Sequence, residues 1–364
     1  MKAAVLKSFG APLLVGDYPD PVLGSGEVIV DVAAAPVLSY ASEVFSGARK
    51  YLLDLPAVPG CGAIGRVRAI GPDATTLKIG DWVFCDPTVR SRDGSPVPDI
   101  TLQGWSARGD GGLKLQRYFH DGPFAEQIRV PTENAIPIGN IESAEAAHWS
   151  AIGILLISYG GLRALDLKAG ETLLVSGATG NFGGATVATA LAMGARCVIA
   201  PGRNEKVLAD LRRRFGERVV PVLLTGDAAT DGASMQSAAP GPIDAVIDFL
   251  PPSVGAEVAR TAIMAVRPYG RVVLMGGVGM LGGDDLALPY PWIMRNLVTL
   301  RGQWMYDRAA VPQMVGLIRS GLLDLRAYTT TEFVLDQVNE AVEHAAANAG
   351  PFRLTVIRPD RAAP

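Results

Sequence analysis

Hydrophobic and polar positions follow two different patterns along the chain. Up to about residue 135, short stretches between glycines alternate apolar and polar side chains, at 27–32, 65–71 and 80–84. This alternation predicts strands, and their regular spacing indicates a compact β-rich domain, with a barrel as one form. Residues 87–118 carry scattered prolines and glycines, which predict a long irregular segment, either a surface excursion or a lid.

From about residue 143, apolar segments with strand character alternate with segments of helical character. Strands that are apolar on both faces and separated by helices are typical of βαβ units, so we predict a doubly wound parallel sheet. A tail of mixed elements follows, and we expect it to pack back on the first domain. The predicted strands are 171–176, 196–200, 245–249, 271–275, 298–302 and 354–357, and the predicted helices are 144–156, 182–193, 204–214, 256–265, 309–320 and 335–347.

Composition narrows the class of protein. The 364 residues favour about two domains. Apolar residues make up 49% and the net charge is only −3, which argues against a disordered chain and against a nucleic-acid or membrane-surface binder. Cys61, Cys85 and Cys197 are widely spaced and predict neither a disulfide framework nor a zinc-type pair. With no signal peptide or membrane-spanning run evident, we expect a cytoplasmic location.

One glycine-rich segment predicts a dinucleotide site. An apolar strand leads into residues 177–183, which open directly into a helix. Gly180 lets the backbone approach a pyrophosphate, Gly183 allows close packing of helix on strand, and the helix N-terminus offers free N–H groups to the phosphates. Ala178 replaces the first glycine of G-x-G-x-x-G, so the strict motif fails. The strand before it, the helix after it and three further βα units still favour the site.

The end of the second strand predicts which cofactor binds. NAD sites carry an acidic residue there, but this chain has Gly202 followed by Arg203, with Lys206 nearby. Glycine leaves room for a 2′-phosphate and the basic side chains can bind it, so we predict NADP(H); the alternative is that Arg203 is a solvated loop residue. The predicted cofactor-binding residues are Gly177, Ala178, Thr179, Gly180, Asn181, Phe182, Gly183, Gly202, Arg203, Asn204, Lys206, Phe249, Gly276 and Gly277.

Motifs spread from end to end carry a family resemblance. They are residues 1–3, 26–28, 55–60, 65–67, 79–83, 122–126, 167–171, 300–302 and 318–321, together with the glycine-rich loop. By these motifs the chain resembles the medium-chain dehydrogenase/reductase superfamily, and most of all its zinc-free branch that includes NADPH-dependent quinone oxidoreductases. The resemblance implies a GroES-like catalytic domain (1–152 and 305–364), a Rossmann domain (153–304), and a homodimer paired near 298–300, with a tetramer left open.

Departures from the family pattern concern the metal. The positions that hold a catalytic zinc in relatives correspond here to Leu38, Cys61 and Ala151, and 87–118 has no cysteine where relatives place a structural zinc. A catalytic zinc needs three protein ligands, so we predict no metal of either kind. Nothing in the spacing of His120 or His148 supports a replacement ligand. We expect Cys61 to be a buried or lining residue rather than a nucleophile.

Three hydroxyl side chains are candidates for proton donation or for stabilising charge on the substrate oxygen. By the resemblance, Tyr40 lies where zinc-bearing relatives carry the Ser or Thr of their proton relay. Ser39 is a second candidate, and Tyr51 lies near the proton-donating Tyr of related enoyl reductases. For each, the alternative is an ordinary wall residue. Leu38-Ser39 replaces the Asn-Pro of many quinone reductases.

These residues together predict an oxidoreductase. Without a Lewis acid, acceptors that delocalise charge themselves suit the site best. We predict an NADPH-dependent, zinc-independent enzyme that transfers hydride to a quinone or an α,β-unsaturated carbonyl. The alternatives are a metal-free alcohol dehydrogenase or carbonyl reductase, and a non-catalytic NADPH-binding protein. The expected partner is a small-molecule substrate, without nucleic acid or membrane.

Overall fold

The computed structural model describes residues 1–359 and separates into two compact units. Within the described residues, the first unit comprises 1–153, 325–349 and 353–359, and the second comprises 154–324 and 350–352. In the described part of the chain, no helix is long and apolar enough to cross a membrane.

The strands and helices have the following bounds. The strands are β1 (Lys2–Val5), β2 (Leu14–Asp17), β3 (Glu27–Val37), β4 (Ala63–Ile70), β5 (Trp82–Cys85), β6 (Thr88–Arg90), β7 (Ile100–Leu102), β8 (Ser106–Ala107), β9 (Gln127–Pro131), β10 (Ala135–Pro137), β11 (Thr172–Ser176), β12 (Cys197–Gly202), β13 (Val219–Leu223), β14 (Ala245–Asp248), β15 (Arg271–Leu274), β16 (Thr299–Gly302), β17 (Thr329–Val334) and β18 (Arg353–Arg358). The helices are α1 (Ala41–Phe45), α2 (Gly109–Tyr118), α3 (Ala146–Trp149), α4 (Ile152–Ala164), α5 (Asn181–Ala192), α6 (Glu205–Phe215), α7 (Ala228–Ala238), α8 (Ala256–Met264), α9 (Tyr290–Arg295), α10 (Ala310–Arg319) and α11 (Val338–Ala347).

The sheet of the first unit is built around the long strand β3. Its order is β10-β5-β4-β3-β18-β17, and β9 also pairs with β3. Almost every residue of β3 is buried, and its register against β4 shifts twice. Such irregularities bend a strand, and they let β3 pair with β4 and β9 at one end and with β18 at the other. The predicted β-rich, GroES-like first domain is confirmed, and the tail returns to it through β18.

The prediction of an irregular segment over 87–118 is wrong for 88–90 and 100–118, which form mainly strands and a helix, and is confirmed only for the largely exposed stretch 91–99. Strands β6, β7 and β8 make a small antiparallel sheet, and α2 packs against it. The glycines have a packing role, because a Cβ on Gly112 would collide with the carbonyl oxygen of Ile100 on β7. A second close contact involves Gly104, where a Cβ would lie 2.8 Å from the Gly60 carbonyl oxygen. The glycines therefore bring the backbones together.

The second unit contains a six-stranded parallel sheet in the order β13-β12-β11-β14-β15-β16. This is the predicted doubly wound, Rossmann-like domain. The strand order reverses between the fully buried β11 and β14. In such sheets, ligands bind at the carboxyl ends of the strands beside this reversal.

Residues 305–324, which the resemblance places in the catalytic domain, lie in the second unit in this structure. The Tyr159 hydroxyl on α4 is 2.9 Å from Oε1 of Gln313 on α10. At Gly160 a Cβ would lie 2.7 Å from Cβ of Tyr306, so only glycine allows this close packing. These contacts attach the segment that contains α10 to α4.

Candidate active site

The glycine-rich loop lies at the carboxyl end of β11, where the strand order reverses. Gly177 has a φ of +83°, a conformation that favours glycine. The Gly180 amide donates to the Gly177 carbonyl at 2.9 Å, which closes a tight turn before α5 begins at Asn181. Ala178 is fully buried beneath the turn. The turn therefore brings the backbone of the loop close to the N-terminus of α5.

Gly183 controls how closely α5 approaches this loop. A Cβ at this position would collide with the Gly177 carbonyl oxygen and lie 2.7 Å from the Ala178 Cα. Real Cβ atoms essentially never come within 3.0 Å of other heavy atoms. The first turn of α5 can lie with its N–H groups beside the loop only because residue 183 is glycine. A pyrophosphate fits this arrangement, because the groups would meet it with the positive end of the helix dipole.

A basic groove adjoins the loop at the end of β12. It has a volume of about 520 Å³ and is lined by Thr179, Arg203, Asn204, Glu205 and Lys206. Asn204 caps α6, accepting a hydrogen bond from the Val207 amide at 3.2 Å. Across residues 1–359, neither Arg203 nor Lys206 forms an ion pair with a carboxylate. Both cations are therefore available to an anionic ligand.

A second cavity of about 340 Å³ opens beside the same loop. Six of the predicted cofactor-binding residues line it: Gly177, Thr179, Gly180, Gly202, Arg203 and Phe249. Gly276 and Gly277 follow β15 and do not line this cavity. The rings of Phe182 and Phe249 stack beside the loop, with their centres 6.1 Å apart. The sequence analysis missed its largely apolar far wall, which comes from the β13–α7 and β14–α8 segments: Leu224, Met235, Leu250, Val254, Val258, Thr261 and Ala262.

A buried carboxyl group, that of Asp248, lies at the carboxyl ends of the paired strands β11 and β14. The Ser176 hydroxyl donates to Oδ1 of Asp248 at 2.7 Å. Burial raises the pKa of Asp248 to about 6, although the hydrogen bond from Ser176 acts in the opposite direction. A Cβ on Gly276 would collide with this carboxyl group. Gly276 therefore has a packing role next to Asp248.

In the first unit, the predicted hydroxyl residues surround an arginine that the sequence analysis missed. The guanidinium of Arg49 lies 4.1 Å from the ring centre of Tyr40. Its Nη1 donates to the Tyr51 hydroxyl at 3.4 Å, and its Nε pairs with Glu43 at 2.8 Å. Arg49 has no acceptor, so the Tyr51 proton must point away from it. Ser39 immediately precedes Tyr40 in the chain and is half-buried.

Tyr40 is held on its other side by aromatic residues. Its ring meets the buried Trp105 edge-on at 5.7 Å, and Phe45 meets the same indole at 5.6 Å. Burial raises the pKa of Tyr40, with smaller contributions from Tyr51 and Cys61, while Arg49 acts in the opposite direction. Tyr40 therefore keeps its proton at neutral pH.

Two family models describe most of the chain. The alcohol dehydrogenase GroES-like domain matches residues 24–140, and the zinc-binding dehydrogenase domain matches residues 182–320. These domains occur in the same order as the two units that the structure contains. The chain belongs to the medium-chain dehydrogenase/reductase superfamily.

Known members of the superfamily resemble the chain over nearly its whole length. An alcohol dehydrogenase of Geobacillus stearothermophilus is 28% identical over 88% of this chain and 90% of its own. An acryloyl-coenzyme A reductase of Metallosphaera sedula is 29% identical over 80% and 81%. A Sinorhizobium meliloti structure bound to NADP has a TM-score of 0.77 at 19% identity, covering 98% of this chain and 99% of that chain. The protein is thus an oxidoreductase of a superfamily that binds nicotinamide cofactors.

Leu38, Cys61 and Ala151 occupy the positions that the resemblance assigned to a catalytic zinc. The side chains of Leu38 and Ala151 offer no donor atom, and Ala151 is fully buried. Cys61 offers one thiol, whereas a catalytic zinc needs three protein ligands. Burial, with a smaller effect from Asp86, raises the pKa of Cys61 to about 12, so the thiol is a weak nucleophile at neutral pH. Among residues 1–359, no three His, Cys, Asp or Glu side chains form a group that could hold a metal ion. These residues do not fit a catalytic zinc.

The two histidines considered as replacement ligands lie elsewhere. His120 Nδ1 is 2.9 Å from Oδ1 of Asp121, and this hydrogen bond raises the pKa of His120. His148 is half-buried in the short helix α3. Neither belongs to a group of potential metal ligands within the described residues.

Proposed function

We propose that the protein is an NADPH-dependent reductase that works without a metal ion and transfers hydride to quinones or α,β-unsaturated carbonyls. The observation that carries this proposal is the side-chain chemistry at the family's metal position and beside it. Leu38, Cys61 and Ala151 supply one thiol in place of the three ligands that a catalytic zinc needs, while Tyr40 and Tyr51 place two phenol groups beside Arg49.

NADPH is favoured by the groove at the end of β12. Gly202 leaves the acidic position empty, and Arg203 and Lys206 present unpaired cations to a phosphate. When bound, the cofactor would supply the hydride. The chain's part is to hold it: the N-terminus of α5 would take the pyrophosphate, and the cavity of about 340 Å³ would take the apolar adenine end. NADP in the Sinorhizobium meliloti structure is consistent with this choice.

The acceptor class follows from what the residues around Arg49 offer. Without a Lewis acid, negative charge on the acceptor oxygen must be stabilised by hydrogen bonding or protonation. Arg49 donates to the Tyr51 oxygen, which leaves the Tyr51 proton free to reach an acceptor. Quinones and conjugated enones spread the developing charge themselves, so a phenol donor is sufficient for them.

The test is an acceptor screen on chelator-treated protein, followed at 340 nm with NADPH or NADH. The panel contains a simple quinone, an enone, an aldehyde and, with NADP⁺, a secondary alcohol. We expect chelator-resistant oxidation of NADPH by the quinone or the enone, and slower oxidation of NADH. Activity that disappears with chelator and returns with zinc would refute metal independence. NADPH binding without turnover would favour the non-catalytic alternative.

A metal-free alcohol dehydrogenase or carbonyl reductase is the second candidate. It is favoured by the Geobacillus stearothermophilus relative, which is an alcohol dehydrogenase and covers most of this chain. The same screen distinguishes the two candidates, because this alternative requires turnover of the secondary alcohol or the aldehyde at a rate that exceeds turnover of the enone.

We also propose that the protein is a cytoplasmic homodimer formed through β16. This edge strand is exposed along its whole length. Exposed apolar side chains precede it in the chain, among them Tyr290, Met294 and Leu297. An uncovered sheet edge beside apolar surface is suited to pairing with the same edge of a second copy.

A further inference from the structure

We propose that Thr179 is a second determinant of cofactor choice, because it fills the space that an acidic side chain at position 202 would need. This inference rests on the proposed preference for NADPH. It adds that the preference is enforced by a steric contact between the glycine-rich loop and the end of β12, and not by residues 202, 203 and 206 alone.

The contact is visible when a side chain is considered at Gly202. A Cβ there would lie within 3.0 Å of Cγ2 of Thr179, and 3.3 Å from both Oγ1 of Thr179 and Cδ2 of Leu208. The backbone is not the obstacle, because Gly202 is the last residue of the extended strand β12 and does not have a positive φ. The obstacle to a larger residue is therefore mainly one methyl group of Thr179.

Thr179 cannot easily move aside. Its β-branched side chain carries two heavy atoms on Cβ, so only one of the three staggered χ1 rotamers would turn a hydrogen toward Gly202, and χ1 is stiff in β-branched residues. Its backbone is held within the turn that the Gly180–Gly177 hydrogen bond closes at 2.9 Å. Leu208 differs, because only the end of its longer side chain approaches Gly202 and this end can shift.

The position of Thr179 connects this contact to the cofactor. Thr179 lines both the cavity of about 340 Å³ and the basic groove of about 520 Å³. The groove is where Arg203 and Lys206 would hold a 2′-phosphate, and NAD sites place their carboxylate at this same strand end. A single change of Gly202 to Asp would thus push against the loop that holds the pyrophosphate. Acquisition of NADH binding requires the Thr179 methyl group to be removed first.

The steric part is tested without any cofactor. Gly202→Ala is made in three backgrounds: the unmodified chain, Thr179→Ser, which removes Cγ2 and keeps the hydroxyl, and Thr179→Val, which keeps both branches and removes the hydroxyl. In the unmodified and Val backgrounds we expect Gly202→Ala to lower Tm by about 2–12 °C, as overpacking does, and in the Ser background by less than half as much. Equal losses in all three backgrounds would overturn the proposal.

The specificity part is tested by direct binding, with the fluorescence of NADPH and NADH as probes. Gly202→Asp alone should weaken NADPH binding and gain no NADH affinity. Gly202→Asp with Thr179→Ser should bind NADH about ten- to a hundredfold more tightly than Gly202→Asp alone, as expected for charged hydrogen bonds to the ribose. Gly202→Asp with Thr179→Val should bind NADH no more tightly than Gly202→Asp alone.

The possible outcomes separate this inference from the proposed function. Strong NADH binding by Gly202→Asp alone, or equal rescue by Ser and Val, overturns the role of Thr179 while the preference for NADPH stands. An unmodified protein that prefers NADH refutes the proposed cofactor and with it the role of Thr179 in cofactor choice. In that case the Tm comparison still reports whether the contact between Thr179 and position 202 exists.

Discussion

Replacing Gly183 by Ala tests the close approach of α5 to the glycine-rich loop. The new Cβ would lie 2.6 Å from the Gly177 carbonyl carbon and 2.7 Å from the Ala178 Cα. Non-bonded carbon atoms pack at about 3.5–4.0 Å, so the helix must retreat by roughly 1 Å. Overpacking of this kind costs about 1–3 kcal/mol, which lowers Tm by about 2–12 °C for a domain of this size.

The same retreat should remove the N–H groups of α5 from the phosphates, so NADPH affinity falls together with Tm. Gly316→Ala is the matched control, because Gly316 lies in α10 of the same unit and a Cβ there meets nothing within 4 Å. It should raise stability by roughly 0.5–1 kcal/mol, since Ala favours helices more than Gly does. Calorimetry and NADPH fluorescence measure both effects. If Gly183→Ala matched Gly316→Ala in Tm and in NADPH affinity, the packing argument would be wrong.

Further predictions concern charge, proton donation and assembly. Asp248 has a raised pKa of about 6 against an ordinary 3.8, so protonation of this carboxyl group stabilises the folded state relative to the unfolded state at low pH. That stabilisation is lost as pH rises through about 4 to 6. Asp248→Asn should abolish this loss of roughly 3 kcal/mol, measured as Tm against pH. Tyr51→Phe should lower kcat for an enone by about 100-fold or more without changing NADPH affinity, and Tyr118→Phe, which alters an exposed tyrosine, should change neither. An unchanged kcat for Tyr51→Phe would leave Tyr40 as the candidate donor. Leu300→Lys on β16 should convert a dimer to a monomer in light scattering, and a dimer that survives would contradict pairing through this strand.

Local signals were sufficient to place the parts of the candidate cofactor site that adjoin a predicted strand. The glycines follow directly after one predicted strand, and the basic residues follow closely after the next, so their placement depends on elements that the hydrophobic pattern already predicts. The β-rich first domain and the doubly wound second domain were predicted for the same reason.

Side-chain contacts that depend on the conformation of a connecting segment or on distant elements were not predictable from local pattern. Nothing in the sequence marks Arg49 as the partner of Tyr40 and Tyr51, because its placement depends on the fold around α1. The apolar far wall of the cofactor cavity was missed because β13 contains Pro221, which argues against a strand in a sequence, and α7 contains Gly232 in its middle. In the sequence, the glycines of α2 were interpreted as residues of an irregular segment, although in the structure they allow close packing.

Pro221 also makes the two edges of the second unit's sheet unequal. The Leu224 amide donates to the Gly202 carbonyl at 2.9 Å, so by alternation the Pro221 nitrogen faces the outer side of β13 and leaves a missing donor there. At the opposite edge, β16 has no proline and is fully exposed. A sheet with two pairing-competent edges can add copies without end and form fibres. A sheet with one such edge uses that edge to pair with its first partner, so association through sheet edges stops at two copies.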